Sequence, residues 1–234
     1  MKSKKPIHVH FSNYICVILL LATLSCKKAP ATYKVMLVHA STGAAKVDFY
    51  LQGNIAERNI LFGENTSYLE AIVEGDDKFV AEIKASATGS LLATEFDPQL
   101  IADAHYSMYI FGNTAELSKV LLNDEYEEPQ TGHALVRFVH MSADAPALDV
   151  LANGVPVVTN KAYYGNSKFN GATGFQEVLS GKYTISFQTN GTGDMIMSAA
   201  DINLEAGKVY TLYAKGLLNG TGAHALDLGV VRMK

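Results

Sequence analysis

Short stretches in which apolar and polar residues alternate run along most of this chain, separated by turn residues. Residues 183–187 and 209–214 are the clearest, rich in Val, Ile, Tyr, Phe and Thr, and side chains two positions apart share one face of a strand. Asn153-Gly154 is the pair typical of a two-residue hairpin. Since period two dominates over the helical period, the pattern predicts an all-β protein with short strands, typical of a sandwich.

The same pattern occurs twice in the chain. Residues 33–41 (Tyr-Lys-Val-Met-Leu-Val-His-Ala-Ser) return as residues 134–142 (Ala-Leu-Val-Arg-Phe-Val-His-Met-Ser). Further matches continue downstream in the same order: Asp48, Gly53, Leu100, Tyr106 and Tyr109 correspond to Asp149, Gly154, Leu204, Tyr210 and Tyr213. Self-similarity over this length predicts two similar domains in tandem.

The repeat sets the expected domain bounds. The first sandwich is predicted over residues 33–122 and the second over 133–234, each of a size that can bury its own core. Residues 123–132 are acidic, contain Pro and Gly and lack apolar periodicity, so they are interpreted as a linker.

The N-terminus has the layout of a secretory signal peptide. Three lysines precede an apolar run at residues 14–24, which is about half the roughly 20 residues that a membrane-spanning helix needs. Thr23-Leu24-Ser25-Cys26 looks like a lipoprotein cleavage site, which predicts a signal peptide over 1–25 and a lipidated Cys26 on a tether over 26–32. Ordinary cleavage and an uncleaved anchor are the alternatives. We expect a protein outside the cytoplasm, anchored in a bilayer and most simply in the outer membrane, with its facing left open.

Cysteine usage and charge narrow the functions further. The two cysteines are Cys16, inside the apolar run, and Cys26, so the processed chain would have no free thiol for a disulfide, a thiolate metal site or a nucleophile. The formal charge is −4, and removal of three lysines with residues 1–25 makes it −7. Scattered bases and an acidic balance argue against nucleic acid as a partner.

The second copy resembles a known family. Its residues 140–150 (His-Met-Ser-Ala-Asp-Ala-Pro-Ala-Leu-Asp-Val), the Asn153-Gly154 turn and residues 204–211 are similar to domain of unknown function 4397 (DUF4397), found in secreted and cell-surface bacterial proteins. The first copy departs from it, with Gly43 and Ala45 in place of Asp144 and Pro146. The resemblance implies immunoglobulin-like sandwiches outside the cytoplasm, and the layout is similar to lipoproteins of Bacteroidota-type bacteria. It implies no activity, site or cofactor.

A hydrolytic site is the best enzymatic alternative in the sequence. His140, with Ser142 and either Asp144 or Asp149, supplies a base, a nucleophile and an orienting carboxylate. No Gly-x-Ser-x-Gly elbow is present, and the His and Ser recur as His39 and Ser41. Repetition favours a structural role at a strand end, so we expect no catalytic residues.

Metal binding is a weak alternative. Asp144 and Asp149, with Asp194 and Asp201, offer hard oxygen ligands for calcium in loop-like settings, but they form no Asp-x-Asp-x-Asp array or EF-hand loop. The histidines left after processing are dispersed and lack zinc-site spacing. We therefore expect no metal and no cofactor.

One aromatic cluster lies in a loop-like segment. Tyr163 and Tyr164, with Phe169 nearby, form the predicted recognition patch for a glycan or a protein partner, in a chain that has no Trp. Phe62 occupies the matching place in the first copy. The sequence as a whole predicts a membrane-anchored lipoprotein of the cell envelope with a non-catalytic recognition or structural role. A polysaccharide-binding accessory protein is the main alternative.

Overall fold

A computed structural model describes residues 28–97, 100–113, 117–166 and 172–233. In these ranges the chain forms sixteen strands and one turn of 3₁₀ helix, Gly222–His224, which confirms the all-β prediction. No helix in the described ranges is long and apolar enough to cross a membrane. Residues 1–25 and Cys26 lie outside the described residues. The strands of the first half are β1 (Ala31–Ser41), β2 (Lys46–Leu51), β3 (Asn54–Leu61), β4 (Leu69–Val73), β5 (Phe79–Ala85), β6 (Leu91–Asp97), β7 (His105–Gly112) and β8 (Ser118–Asn123).

Eight further strands form the second half and reproduce the first. They are β9 (His133–His140), β10 (Leu148–Ala152), β11 (Val155–Lys161), β12 (Gln176–Leu179), β13 (Gly181–Thr189), β14 (Met195–Leu204), β15 (Val209–Lys215) and β16 (Asp227–Arg232). The sheet orders are β4-β1-β7-β8 and β3-β2-β5-β6 in the first half, and β12-β9-β15-β16 and β11-β10-β13-β14 in the second. Each strand therefore corresponds to the one eight places later. The parallel pairs β1/β7 and β9/β15 correspond as well, and the other ladders are antiparallel.

Each half is a two-layer sandwich around an apolar core. In the first, Leu37 of β1 and Met108 of β7 face Phe49 of β2 across the space between the sheets, and all three are fully buried. In the second, Phe138 packs on Phe187 with ring centroids 5.5 Å apart. Full burial of side chains of this size stabilises a fold by about 1.5–3 kcal/mol each.

The two sandwiches pack face to face. In β1, Val35 and Leu37 point into the first core, whereas Met36 and Val38 point the other way into a cluster shared with the second half. Strands buried on both faces read as nearly continuous apolar runs. We call this shared cluster the seam, and its buried residues are Met36, Val38, Ala40, Tyr109, Phe111, Val139, Met141, Tyr163, Tyr164, Tyr213 and Val231.

Turn residues at the hairpin tips behave as their identity predicts. Asn153 and Gly154 have φ of 51° and 81°, which confirms the two-residue hairpin between β10 and β11. In the first half Gln52 and Gly53 occupy the same turn with φ of 49° and 75°. The Asn153 side chain accepts a hydrogen bond from the amide of Thr184, and Gln52 accepts one from Val80 in the same way.

The repeated aspartates fix a bulge beside each hairpin. Asp48 accepts a hydrogen bond from the amide of Asn59 at 2.9 Å, and Asp149 accepts one from Asn160 at 2.7 Å. Both asparagines have positive φ, 56° and 51°, and the pairing of β2 with β3 and of β10 with β11 shifts register in this region. Asp149 thus lies within β10 and holds the neighbouring strand.

Candidate functional site

Equivalent side chains of the two halves meet at the seam. Tyr109 of β7 and Tyr213 of β15 occupy matching positions and contact each other edge to face, with centroids 5.9 Å apart. The ring of Tyr163, in the second half, lies 5.8 Å from the ring of Phe111 in the first. The reciprocal contact joins the matching residues: the ring of Phe62, which matches Tyr163, lies 5.5 Å from the ammonium of Lys215, which matches Phe111. The halves therefore recognise each other through the same surface, as subunits of a two-fold dimer do.

The predicted recognition patch is part of this seam. Tyr163 and Tyr164 are only 5% and 9% exposed, and both pack edge to face on Phe111 of the first half. The expectation that they form an exposed surface for a glycan is therefore wrong, because the sequence of one half does not show what the other half covers. The third patch residue, Phe169, lies outside the described residues.

A buried ion pair closes one end of the seam. Arg137 Nη2 donates to Asp124 Oδ1 at 2.6 Å, and these side chains are 4% and 0% exposed. The other carboxylate oxygen accepts hydrogen bonds from Ser107 and from the Tyr68 hydroxyl. Arg137 also donates to the Asn123 carbonyl at 2.9 Å and to Thr211 Oγ1. Both charges are thereby well satisfied, and the network ties the start of the linker to strands of both halves.

Burial sets the electrostatics of this network. Desolvation raises the pKa of the Asp124 carboxyl, while the Arg137 guanidinium and the Ser107 hydroxyl oppose the rise. Desolvation also raises the pKa of the neighbouring Tyr109 to about 12. A buried ion pair of this kind gives little net stability compared with apolar side chains, but removal of one partner leaves the other as an uncompensated buried charge.

A cleft of about 740 Å³ opens beside this network, where the linker crosses the second half. Phe175 forms part of its wall, with the Arg137 guanidinium 4.7 Å from one side of the ring and Tyr126 edge-on at 5.8 Å. A neighbouring cavity of about 340 Å³ shares Glu125, Tyr126 and Glu128 with it. We call the pair the seam cleft. Its larger part is lined by Glu125, Tyr126, Glu127, Glu128, Gln130, Leu135, Phe175 and Glu177.

Hydrogen bonds hold the walls of the seam cleft in place. Glu177 accepts a bond from the amide of Gln130 at 2.8 Å, and Glu125 accepts one from the amide of His105 at 2.9 Å. The cleft therefore presents aromatic rings beside carboxylates, a combination that can stack on an apolar face of a ligand and accept its hydrogen bonds. Sequence reasoning missed it. The available signal was Arg137, a charged residue in an apolar strand where the first copy has Met36.

The repeated histidines are enclosed by backbone. His140 is fully buried, its Nε2 lies 3.0 Å from the Pro146 carbonyl and its Nδ1 accepts from the amide of Ser142 at 3.3 Å. His39 is equally buried, and its Nδ1 accepts from the amide of Ser41 at 3.3 Å. Burial lowers the pKa of each imidazole to about 4, with a backbone carbonyl opposing the shift. Both rings are therefore neutral near pH 7.

The structure does not bring the residues of the predicted hydrolytic site into a catalytic arrangement. The Oγ of Ser142 is buried and has no hydrogen-bond partner in the described part of the chain, so it is not activated by His140. Asp144 accepts hydrogen bonds from the amides of Leu218 and Asn219, and Asp149 from Asn160, instead of orienting the imidazole. These contacts favour the structural interpretation of the repeated His and Ser.

The weak calcium ligands are also used elsewhere. Asp144 closes a loop after β15 through its two amide partners, and Asp149 accepts from the Asn190 side chain in addition to Asn160. Within the ranges that the structure describes, no group of three or more His, Cys, Asp or Glu side chains is arranged to hold a metal ion.

Comparison with known proteins places the chain in a family. The sequence model of Domain of unknown function (DUF4397) matches residues 33–151 and again residues 134–230. This chain belongs to the DUF4397 family. The expected family and its tandem copies are thereby confirmed. No curated protein matches the chain.

Among solved structures, the chain is similar to a carbohydrate-binding module. This is CBMbc, of family CBM26, from Eubacterium rectale Amy13K, crystallised in complex with maltoheptaose. The sequences are 13% identical, the similarity covers 85% of this chain and 96% of that chain, and the TM-score is 0.26. A likeness this low does not transfer the ligand of the module to the DUF4397 chain.

Proposed function

We propose that this DUF4397 protein is a non-catalytic recognition protein of the cell envelope, anchored through a lipid on Cys26 and binding its ligand in the seam cleft. The observation that carries the proposal is the cleft itself. At about 740 Å³ it falls within the roughly 300–1,000 Å³ range of ligand sites, and it combines Phe175 and Tyr126 with hydrogen-bonding carboxylates.

The packing of the two halves supports a recognition role. The seam cleft is built from the linker, from Tyr68 and His105 of the first half, and from Phe175 and Glu177 of the second. A continuous core and a buried ion pair hold these parts together, so the walls are pre-formed before a ligand arrives.

A polysaccharide is the ligand class that we favour for the cleft. Aromatic rings accept the apolar faces of sugar rings, and the exposed carboxylates of Glu127 and Glu128 suit sugar hydroxyls. This moves the glycan site from Tyr163 and Tyr164 to Tyr126 and Phe175. No catalytic step is included, since His140 and Ser142 are enclosed by backbone and apolar side chains.

The binding test uses residues 27–234, which carry all sixteen strands of the structure. The protein is titrated by calorimetry with envelope and dietary polysaccharides, and Tyr126→Ala is compared with Tyr50→Ala, a partly exposed tyrosine on the outer sheet beside Lys84. We expect Tyr126→Ala to weaken binding about tenfold, or 1.4 kcal/mol, and Tyr50→Ala to leave it unchanged. Equal effects of the two variants, or no binding to any polysaccharide, would reject the cleft as a glycan site.

The anchoring test uses the full chain expressed in a bacterium. Wild type should be found in the membrane fraction and should incorporate labelled fatty acid, whereas Cys26→Ala should lose both properties. Membrane association that survives Cys26→Ala would overturn the lipid anchor without touching the binding proposal.

A further inference from the structure

A narrow apolar cavity lies inside the second sandwich, apart from the seam cleft. Its volume is about 50 Å³ and it is partly open at the side of the sandwich where the edge strands β11 and β12 lie. Side chains from both sheets line it and most are aliphatic, among them Leu212 of one sheet and Val150, Ala152 and Val157 of the other.

The internal repeat has larger side chains in the first half at two positions that line this cavity. At the positions of Val150 and Ala152 on β10, the first half has Phe49 and Leu51 on β2, which are 0% and 4% exposed in its core. The register supports the match, because Val150 pairs with Phe187 of β13 as Phe49 pairs with Ile83 of β5. Two large side chains of the first core are thus replaced by smaller ones at the cavity.

Exposed apolar side chains continue from the cavity onto the surface. Val157 lines the cavity and is 47% exposed, and Val155 on the same strand is 63% exposed. At the positions of Val155 and Val157, the corresponding strand of the first half, β3, has Asn54 and Ala56. An apolar strip that leads into an apolar cavity favours a ligand that is apolar along its length.

Two of the polar groups around the cavity, the hydroxyls of Thr173 and Tyr183, already have partners. The Thr173 hydroxyl accepts a hydrogen bond from the amide of Phe138 at 2.9 Å, and the Tyr183 hydroxyl donates to the Leu179 carbonyl at 2.7 Å. The walls therefore attract a ligand through apolar contact. An engineered cavity of about 150 Å³ holds a benzene molecule, so a space of about one third of that volume is too narrow for a ring.

We propose that the cavity of the second sandwich binds the end of an unbranched alkyl chain. The terminal carbons enter between the sheets, and the rest of the chain lies along Val157 and Val155 at the edge of β11. Each further methylene that leaves water should raise the affinity about fourfold, until the cavity is full.

The test follows the binding of straight-chain alcohols from 1-butanol to 1-octanol to residues 27–234 by nuclear magnetic resonance. We expect rising affinity with chain length, and magnetisation transfer from the terminal methyl group of 1-hexanol to Val150 and Leu212. Transfer confined to the exposed Val155 would mean adsorption at the surface and would overturn the proposal. Binding of benzene in preference to 1-hexanol would overturn it as well.

Two variants exchange residues between matching positions of the repeat, and a third is the control. Ala152→Leu inserts the side chain that the first half uses, and it should abolish 1-hexanol binding while raising the melting temperature by filling the cavity. Ala200→Leu, at an exposed position of β14, adds the same atoms outside the cavity and should leave binding unchanged. In the reverse experiment, Leu51→Ala should create a second alkyl site in the first half. Unchanged hexanol binding in Ala152→Leu would place the ligand elsewhere and reject the proposal.

Discussion

The two buried histidines make the stability of this fold depend on pH. His39 and His140 occupy matching strand ends, and burial lowers the pKa of each from 6.5 to about 4. An imidazole that is harder to protonate in the folded state contributes stability that is fully present above pH 6.5. That contribution is lost as the pH falls from 6.5 towards 4, because the unfolded chain then binds protons that the folded chain does not.

The size of the effect follows from the two pKa values. Between pH 8 and pH 5, a group that moves from 6.5 in the unfolded chain to about 4 in the folded protein lowers the free energy of unfolding by about 2 kcal/mol. The two histidines together therefore account for a loss of about 4 kcal/mol, a large share of the roughly 5–15 kcal/mol by which domains are stable.

Urea denaturation of residues 27–234 at pH 8, 7, 6 and 5 measures this difference. His140→Gln removes the titrating group, so the loss between pH 8 and pH 5 should shrink by about 2 kcal/mol, whatever the variant does to stability at pH 8. His39→Gln/His140→Gln should remove about 4 kcal/mol of the loss. The reasoning is refuted if His140→Gln retains the full pH dependence of wild type. Val38→Ala, in the same strand as His39, is the control that should lower stability equally at every pH.

Three further substitutions test the packing, each measured as the free energy of unfolding in urea. Arg137→Met introduces the residue found at the matching position of the first copy, and it should cost about 3–5 kcal/mol because the buried Asp124 carboxylate loses its cation. Asp124→Asn, added to this variant, should recover part of the loss. If the losses of the two single variants simply add in the double variant, the ion pair is excluded. Gly229→Ala places a Cβ 2.1 Å from Cζ of Tyr213, so the free energy of unfolding should fall by about 1–3 kcal/mol. Gly174→Ala is the control and should cost far less, because its added Cβ meets no neighbouring atom. Gln52→Asn introduces the residue that the second hairpin has at the same positive φ, so it should stabilise the protein by up to about 1 kcal/mol. Destabilisation would mean that the longer glutamine side chain is needed for its hydrogen bond with the Val80 amide.

Features that depend on local sequence were predictable here. Asn153-Gly154 forms the hairpin that this pair favours, because both residues tolerate positive φ. The alternating runs became strands, and the repeat predicted that β9 to β16 would follow the order of β1 to β8.

The seam could not be predicted in the same way. Seven consecutive residues from Val35 to Ser41 are buried, so this strand is covered on both faces, but its sequence does not identify the covering surface. Tyr163 and Tyr164 looked like a loop patch because their partner, Phe111, lies some fifty residues away in the other half. Asp124 looked like one more acid of the linker, since its pairing with Arg137 exists only once the halves are docked.

The position of β1 has a mechanical consequence. It lies between β4, which is antiparallel to it, and β7, which is parallel, and side chains on both of its faces are buried. Tension applied at the N-terminal end of the chain would run along this strand and load its hydrogen bonds in shear, so that many must break together instead of one after another. Through the seam, the same load would be shared with the second sandwich, which makes the first strand a strong point of attachment for the whole molecule.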